Sequence, residues 1–288
     1  MINYHSDDFN YEEYVSNLGQ IYQEPLPNID NTYNKEDSNE SDNWDRFYSK
    51  CQSYKCRNYL AIEFETWLNI LNQGSSTIFE IGCGHGILFL LFYLKHFIIP
   101  FILLIIYKQS IKLGSSILPL VKMFKNIKFI AFDFSEKAIE AFQNNIGFDS
   151  YRIECHIWDA LNPECFPMYK ELDSCLCIFT LSSVHPDIHL EFLKNCKNRL
   201  KSHGIILIRD YALYDMTMFR HKVRLGEKLF RRKDGTLAYY FDLKDIEFYA
   251  AELNLNILSL QYATVALQNR KSRTKMFRVF LHGVLSKK

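Results

Sequence analysis

The sequence lacks the cysteine spacings of a metal or redox site. Its eight cysteines include no pair at the distance of a zinc knuckle or a CxxC motif, so we predict no metal site. It also lacks a secretory signal after Met1. We therefore expect free thiols in a reducing compartment, with the cytoplasm as the predicted location and the nucleus as a second one.

A charge imbalance is absent as well. Lys and Arg number 34 against 33 Asp and Glu, a formal net charge of +1. This balance excludes a nucleic-acid footprint spread over the whole surface, so any basic surface must be local. Hydrophobic residues make up 48% of the 288 positions, enough for the core of one large domain.

The chain divides by composition near residue 44. Residues 1–43 are polar and interrupted by Pro25 and Pro27, and we predict a disordered lead-in. Residues 44–288 are predicted to form one domain. Apolar residues at helical spacing between Trp44 and Asn72 predict one amphipathic helix, which Gly74 ends.

Short apolar runs then alternate with helical patterns. The predicted strands reach Ile81, Asp133, Ile157, Leu181 and Ile208. Such alternation predicts an α/β fold with a doubly wound, mostly parallel sheet of the Rossmann-like kind. Ligands in such sheets bind beyond the carboxyl ends of the strands, so the polar residues there are the candidates for a site.

A glycine-rich turn follows the first strand. Gly82, Gly84 and Gly86 let the backbone approach a ligand closely, although a purely structural turn is an alternative. Asp133 ends the second strand, where a carboxylate can accept two ribose hydroxyls, and Asp159 follows the third, where it can meet an adenine amino group. Each is alternatively an ordinary strand-end or helix-capping Asp.

Several longer motifs resemble one known family. They are Asn43-Trp44-Asp45-Arg46-Phe47-Tyr48, Glu80-Ile81-Gly82-Cys83-Gly84, Phe132-Asp133-Phe134-Ser135, Leu181-Ser182-Ser183-Val184-His185-Pro186, Arg209-Asp210-Tyr211-Ala212-Leu213-Tyr214-Asp215, Asp234-Gly235-Thr236 and Arg278-Val279-Phe280-Leu281. Together they are similar to the class I methyltransferases that use S-adenosylmethionine (SAM) to make 3-methylcytidine at position 32 of tRNA anticodon loops. The resemblance covers residues 43–288 apart from one segment.

The resemblance implies SAM as cofactor and tRNA as substrate, with seryl-tRNA synthetase as a helper in some members. With the glycine turn, it implies cofactor contacts at Trp44, Tyr48, Gly82, Gly84, Asp133, Asp159, Ala160 and Ile178. The family pattern has Asp where Cys56 stands and Asn where Ile87 stands. These departures put in doubt the contacts near Arg57 and the exit of the glycine turn.

Methylation at cytosine N3 makes the ring cationic, so a nearby carboxylate would stabilise the product charge. Our candidate for this carboxylate is Asp210, and Tyr211 is the candidate stacking or hydrogen-bonding partner. The alternative is that Arg209 and Asp210 form a purely structural pair. For RNA contacts we predict the basic positions Arg57, His185, Arg209, Arg231, Arg232 and Arg278, although a solvated surface is the usual meaning of such runs.

Residues 87–114 form an apolar insertion directly after the glycine turn. We favour a retained intron translated in frame, because the residues are those that A/T-rich DNA encodes. A lineage-specific apolar lobe is an alternative. A membrane helix over 88–107 is disfavoured by Lys95, His96 and Pro100 in mid-span.

Two other functions stay open at this stage. One is methylation of a protein or a small molecule by the same fold. The other is a methyltransferase-fold protein whose catalysis is impaired by the insertion.

Overall fold

The computed structural model describes residues 6–22, 25–34, 40–50, 59–84, 116–144, 148–162, 171–268 and 273–288. The predicted insertion at 87–114 lies outside these ranges, as does Arg57. The chain forms two compact units. We call residues 44–168 the glycine-turn unit, and residues 1–43 with 169–288 the terminal unit.

The described residues form helices and strands in alternation. The α-helices are α1 (Tyr11–Ser16), α2 (Leu18–Ile21), α3 (Glu40–Lys50), α4 (Leu60–Glu63), α5 (Glu65–Gln73), α6 (Ile117–Met123), α7 (Glu136–Gln143), α8 (His189–Asn198) and α9 (Leu243–Glu252). The strands are β1 (Ser76–Ile81), β2 (Ile127–Asp133), β3 (Ile153–Ile157), β4 (Leu172–Ile178), β5 (Leu200–Tyr211), β6 (Val223–Arg224), β7 (Leu229–Arg231), β8 (Leu237–Tyr239), β9 (Leu255–Gln268) and β10 (Lys275–Lys287).

In the glycine-turn unit the sheet is parallel. Strand β2 pairs with β1 on one side and with β3 on the other. Nearly every position of β1 and β2 is buried, which is the pattern of a strand covered on both faces. Helix α7 follows β2 at once, because the Ser135 side chain accepts a hydrogen bond from the Ala138 N–H and caps the helix.

In the terminal unit the sheet is mixed. Strand β4 pairs in parallel with β5, whereas β10 pairs antiparallel with both β5 and β9. A second, three-stranded antiparallel sheet contains β6, β7 and β8. Helix α9 begins at a capping box made by Asp242 and Asp245.

The helical prediction for Trp44–Asn72 differs from the structure. Three helices, α3, α4 and α5, cover the described part of this region, with residues 51–58 outside it. Phe64 has a non-helical backbone (φ −108°, ψ 22°) and separates α4 from α5, although its side chain is buried at 1% exposure. The apolar periodicity identified the buried face but not the interruption.

The expected disorder of residues 1–43 also differs from the structure. Tyr14 is buried, and its hydroxyl donates to the Tyr214 carbonyl oxygen at 2.7 Å. Tyr11 stacks on Tyr262 with ring centroids 4.0 Å apart. Aromatic residues scattered through this polar segment anchor it to residues 169–288 of the terminal unit, and a composition averaged over 43 residues conceals them.

The five described cysteines, Cys83, Cys155, Cys175, Cys177 and Cys196, are free thiols, as predicted. No helix within the described ranges is long and apolar enough to cross a membrane. The described residues also contain no group of three or more His, Cys, Asp or Glu side chains able to hold a metal ion.

Candidate functional site

The glycine turn leaves β1 with two residues in the left-handed region. Gly82 has φ +68° and Gly84 has φ +59°, conformations that L side chains rarely adopt. The Cys83 N–H donates to the Phe132 carbonyl oxygen at 3.0 Å and holds the turn beside β2. A Cβ on Gly84 would lie 3.3 Å from the Tyr48 hydroxyl oxygen. Both the backbone angles and the space at Gly84 therefore favour glycine.

Asp133, the last residue of β2, stabilises this turn through its side chain. Its carboxylate accepts hydrogen bonds from the Gly84 N–H at 2.9 Å and the Ser135 N–H at 3.0 Å. The Tyr48 side chain bonds to it as well. Burial raises the pKa of Asp133 to about 6, although these hydrogen bonds oppose the rise. The structure thus brings three predicted cofactor residues, Tyr48, Gly84 and Asp133, into one cluster.

Helix α3 is tied to the start of α7. The Ser135 hydroxyl donates to the Asp45 carboxylate at 2.5 Å, and the Lys137 ammonium donates to the Ser49 hydroxyl at 3.1 Å. Trp44 lies on the same helix, with its ring centroid 5.6 Å from that of Tyr48. Their i, i+4 spacing on one helix therefore places both rings side by side.

The end of β3 supplies the other predicted acid. Asp159 is exposed, and one of its carboxylate oxygens accepts the Leu161 N–H at 2.9 Å. The next residue, Ala160, is buried. The Trp158 N–H donates to the Asp133 carbonyl oxygen at 3.0 Å and links this strand end to the preceding one. A glycine cradle beside two strand-end carboxylates fits the phosphate-free nucleoside and amino-acid parts of SAM.

In the terminal unit, Asp210 near the end of β5 plays a similar structural part. It is fully buried, and its carboxylate accepts the Ser182 N–H at 2.9 Å and the Tyr211 N–H at 2.8 Å. Burial raises its pKa to about 6. The carboxylate therefore holds the turn Leu181–Ser183 that follows β4, where the predicted cofactor residue Ile178 is also buried.

The neighbouring basic residues lie largely inside the unit. Arg209 is only 3% exposed, and its guanidinium carbon lies 4.5 Å from the centre of the Phe280 ring. In this placement the guanidinium packs in the interior of the unit, and the RNA contact of Arg209 stays a prediction. Arg278 donates to the Asp215 carboxylate at 2.7 Å and lies 4.9 Å from the Phe280 ring centre. Asp215 is itself completely buried.

Arg231 and Arg232, at the end of β7 and directly after it, face different partners. Arg231 is half-buried and lies 5.0 Å over the ring of Tyr33. Arg232 bonds to the Leu237 carbonyl oxygen and to the Thr236 hydroxyl, and its guanidinium lies 5.8 Å from the Tyr211 ring centre. The two predicted RNA contacts thus differ: Arg231 packs on an aromatic ring, whereas Arg232 braces the hairpin.

His185 lines a pocket of about 440 Å³ with Pro186, Lys228, Leu229 and Tyr239. Its imidazole Nδ1 lies 3.3 Å from the Asp187 carboxylate. The Lys228 ammonium forms ion pairs with Asp242 at 2.8 Å and with Asp245 at 2.9 Å, so its charge is neutralised within the unit. The predicted basic cluster is therefore partly structural.

Sequence reasoning missed a polar chain beside Tyr211. Asp215 accepts hydrogen bonds from Thr217, whose hydroxyl lies 3.0 Å from that of Tyr240; the Tyr240 hydroxyl lies 2.7 Å from His221 Nε2. Asp215 closes the quoted Arg-Asp-Tyr-x-Leu-Tyr-Asp run, which was a usable signal. Thr217 and Tyr240 gave none, because only the fold brings them together.

Comparisons with known proteins give a consistent picture. No family model matches the chain. It is 30% identical over 254 residues to tRNA N(3)-methylcytidine methyltransferase trm140 of Schizosaccharomyces pombe, covering 85% of this chain and 73% of that protein. It is 28% identical over 279 residues to tRNA(Thr) (cytosine(32)-N(3))-methyltransferase of Saccharomyces cerevisiae, covering 93% of this chain and 40% of that protein.

Among solved structures, a SAM-dependent methyltransferase from Anabaena variabilis matches with a TM-score of 0.60 at 12% identity. The match covers 91% of this chain and all of that one, and it confirms the predicted class I, Rossmann-like fold. With the relatives above, it confirms SAM as the cofactor. From its sequence similarity, its fold and its strand-end cluster, the chain belongs to the family of tRNA N(3)-methylcytidine methyltransferases and is a SAM-dependent enzyme.

Proposed function

We propose that this chain methylates N3 of cytidine at position 32 in the anticodon loop of a subset of tRNAs. The single observation that carries the proposal is the similarity to trm140 over 85% of the chain. The strand-end residues give that similarity a physical basis, because the quoted motifs fall on the glycine turn, β2, β5 and β10.

We propose that SAM is held by residues of the glycine-turn unit. The contact of Ile178, in the terminal unit, stays a prediction from the family resemblance. The backbone of Gly82 and Gly84 forms the cradle, and Asp133 keeps that cradle in place. The Asp159 carboxylate accepts a hydrogen bond from the adenine amino group, and Ala160 lies next to it in the chain. Trp44 and Tyr48 supply aromatic surface for a cation. When bound, SAM supplies an electrophilic methyl group.

The chain's own residues then have to hold the base and manage charge. Cytosine N3 has an in-plane lone pair and is neutral at pH 7, so no general base is required. The base must leave its stack, be aligned, and be shielded from water. We propose that Asp210 acts as a fixed negative charge and a support for the Leu181–Ser183 turn, since its carboxylate is buried and bonded to two backbone N–H groups.

For RNA contacts we propose Arg231 and His185 in the terminal unit, with Arg57 outside the described residues. Arg231 is half-buried, and packing over Tyr33 orients its guanidinium. Arg232 and Arg278 act indirectly, because their guanidinium groups are bonded within the unit. Binding by phosphate contacts weakens as salt is raised. Seryl-tRNA synthetase as a helper, and action in the cytoplasm or nucleus, are further parts of the proposal.

Nucleoside mass spectrometry of treated tRNA tests this function. The full chain and a variant lacking residues 87–114 are each incubated with SAM and total tRNA, with and without seryl-tRNA synthetase. We expect 3-methylcytidine, and none on a transcript whose position 32 is uridine. Transfer of the methyl group to a protein or small molecule but not to tRNA contradicts the proposal. Activity of the shortened chain alone would assign the insertion an inhibitory effect.

A further inference from the structure

The pocket at His185, which we call the His185 pocket, lies within the terminal unit and has a volume of about 440 Å³. Its wall is mostly apolar and includes Pro186, Leu225, Leu229 and Tyr239. This volume falls in the range of roughly 300–1,000 Å³ that small-molecule sites occupy. A mostly apolar wall of this size fits a flat organic ring better than a strongly hydrated ion.

The turn between β6 and β7 forms one wall of the pocket and is braced by its own hydrogen bonds. The Leu225 and Gly226 N–H groups both donate to the Leu229 carbonyl oxygen, at 2.8 and 3.1 Å. The Arg224 guanidinium donates to the Gly226 carbonyl oxygen at 3.1 Å and to that of Glu227 at 2.9 Å. The wall is therefore formed before a ligand binds, which lowers the cost of binding.

The charged groups of the wall are already compensated or face solvent. The Lys228 ammonium forms its ion pairs with Asp242 and Asp245. Glu227 is the only carboxylate among the described lining residues, and it is exposed. A ring that becomes cationic inside the pocket would find no buried carboxylate in this wall. The pocket therefore suits a ring that stays neutral, unlike the cytosine that is methylated.

An aromatic and basic edge lies beside the pocket. The ring centroid of Tyr33 is 6.2 Å from that of His185, and the Arg231 guanidinium lies 5.0 Å over the Tyr33 ring. Lys222 and Lys233, on either side of β6 and β7 in the chain, are exposed. An uncharged pocket with cations along its edge matches a nucleotide, because the base is neutral and the phosphate is anionic.

We propose that the His185 pocket takes one base of the anticodon loop other than the cytosine that is methylated, an inference that rests on the proposed function. Proteins that recognise RNA by sequence commonly bind loop bases that have left their stack. The base in this pocket is read and not modified. The pocket therefore helps to select which anticodon loops the chain binds.

Gly226 allows the pocket to be filled without disturbing the turn. It needs no left-handed backbone, and a Cβ there meets only the Leu229 Cβ, at 3.6 Å. Gly226→Leu should therefore unfold close to the wild-type temperature. We expect its Kd for an anticodon stem-loop RNA with cytidine at position 32 to rise about tenfold, the loss of one base contact. Gly19→Leu is the matched control, because Gly19 is exposed in the same unit and a Cβ there meets nothing within 4 Å.

Abasic substitutions in the RNA identify the base that enters the pocket. Each loop position in turn loses its base, and the Kd is measured for the wild-type chain and for Gly226→Leu. At the position whose base enters the pocket, Gly226→Leu should cause no further loss of affinity, whereas elsewhere the two losses add. Such coupling at one position other than 32 supports the inference. Coupling at position 32 alone, or at no position, overturns it.

Failure of the proposed function has a different signature. A wild-type chain that neither binds this RNA nor forms 3-methylcytidine overturns both the function and the inference. A wild-type chain that forms 3-methylcytidine but shows additive losses at every position overturns only the inference. If Gly226→Leu binds the RNA normally and binds seryl-tRNA synthetase more weakly, the pocket holds a protein, and the inference is again overturned.

Discussion

Asp133 and Asp210 play the same structural role in two different regions of the molecule. Each lies at the carboxyl end of a parallel strand, is buried, and accepts backbone N–H groups from a turn after another strand and from a residue just after itself. The surroundings differ. Around Asp133 the site is made of backbone and glycine, whereas around Asp210 it is made of large aromatic and basic side chains.

This difference predicts how each region fails. A site built from backbone is damaged by adding a single carbon atom, and the fold should tolerate the change. A site built from large side chains depends on their buried partners, so that removing one partner damages the fold itself. The predictions below test that contrast in order of expected size.

The largest effect is expected at Asp215 in the terminal unit. Its buried carboxylate accepts a hydrogen bond from the Arg278 guanidinium at 2.7 Å and another from the Val279 N–H at 2.9 Å. Asp215→Ala leaves the Arg278 charge without its partner, which costs about 3–5 kcal/mol of unfolding free energy. Chemical denaturation measures it. Asp173→Ala, which removes a surface pair with Lys201, should cost less than about 1 kcal/mol. Equal losses would contradict the contrast.

The pH dependence of stability tests whether the two strand-end carboxylates are equivalent. Burial raises the pKa of both Asp133 and Asp210 from 3.8 to about 6. Between about pH 4 and 6 the folded state therefore binds more protons than the unfolded state, and stability falls as pH rises through this window.

Asp133→Asn and Asp210→Asn should each remove part of that fall, on the order of 2 kcal/mol per carboxylate. The difference between the unfolding free energies at pH 4 and pH 7 measures this fall. A loss of stability that the substitution causes equally at both pH values does not change that difference. If one Asn variant keeps the wild-type slope, that carboxylate is ionised throughout, and the two sites are not alike.

At the glycine turn we expect a loss of SAM binding together with a smaller loss of stability than at Asp215. Gly84→Ala places a Cβ at φ +59° within 3.3 Å of the Tyr48 hydroxyl, a conformational cost of about 1–2 kcal/mol. We expect SAM binding to weaken about tenfold in isothermal titration. Gly74→Ala is the control, because a Cβ there meets nothing within 4 Å. Wild-type affinity of the Gly84 variant would show that the turn can relax.

Local patterns predicted the strand-end parts of both regions. The strands ending at Ile81, Asp133 and Ile157 follow from apolar runs and the residues after them, and the structure has all three ends there. The family resemblance named Tyr48 as a cofactor contact, but the position of its hydroxyl against Gly84 comes from the structure alone. In the terminal unit the prediction identified Asp210 and Tyr211 but placed Arg209 on the surface, because sequence gives no sign of which basic residue is packed on a ring.

The His185 pocket and the Asp215–Tyr240 chain could not be predicted for a related reason. The pocket joins His185 to the turn after β6, and Tyr240 reaches Thr217 only because β8 and the segment after β5 are folded together. Contacts between residues that are distant in the chain carry no local periodicity. A resemblance marks such residues as part of a motif without saying what they touch.

The smallest effect concerns the N-terminal segment, for which composition predicts disorder. The Tyr14 hydroxyl donates to the Tyr214 carbonyl oxygen at 2.7 Å and lies 3.1 Å from the Tyr22 hydroxyl. Tyr14→Phe therefore removes two partly buried hydrogen bonds, which together contribute about 1 kcal/mol. Tyr151→Phe, at a 92% exposed position, should change the unfolding free energy by nothing measurable. If the two variants are equally stable, residues 11–16 do not support the terminal unit in solution. A loss at Tyr14 alone would instead show that the segment folds as part of the same unit as Asp210.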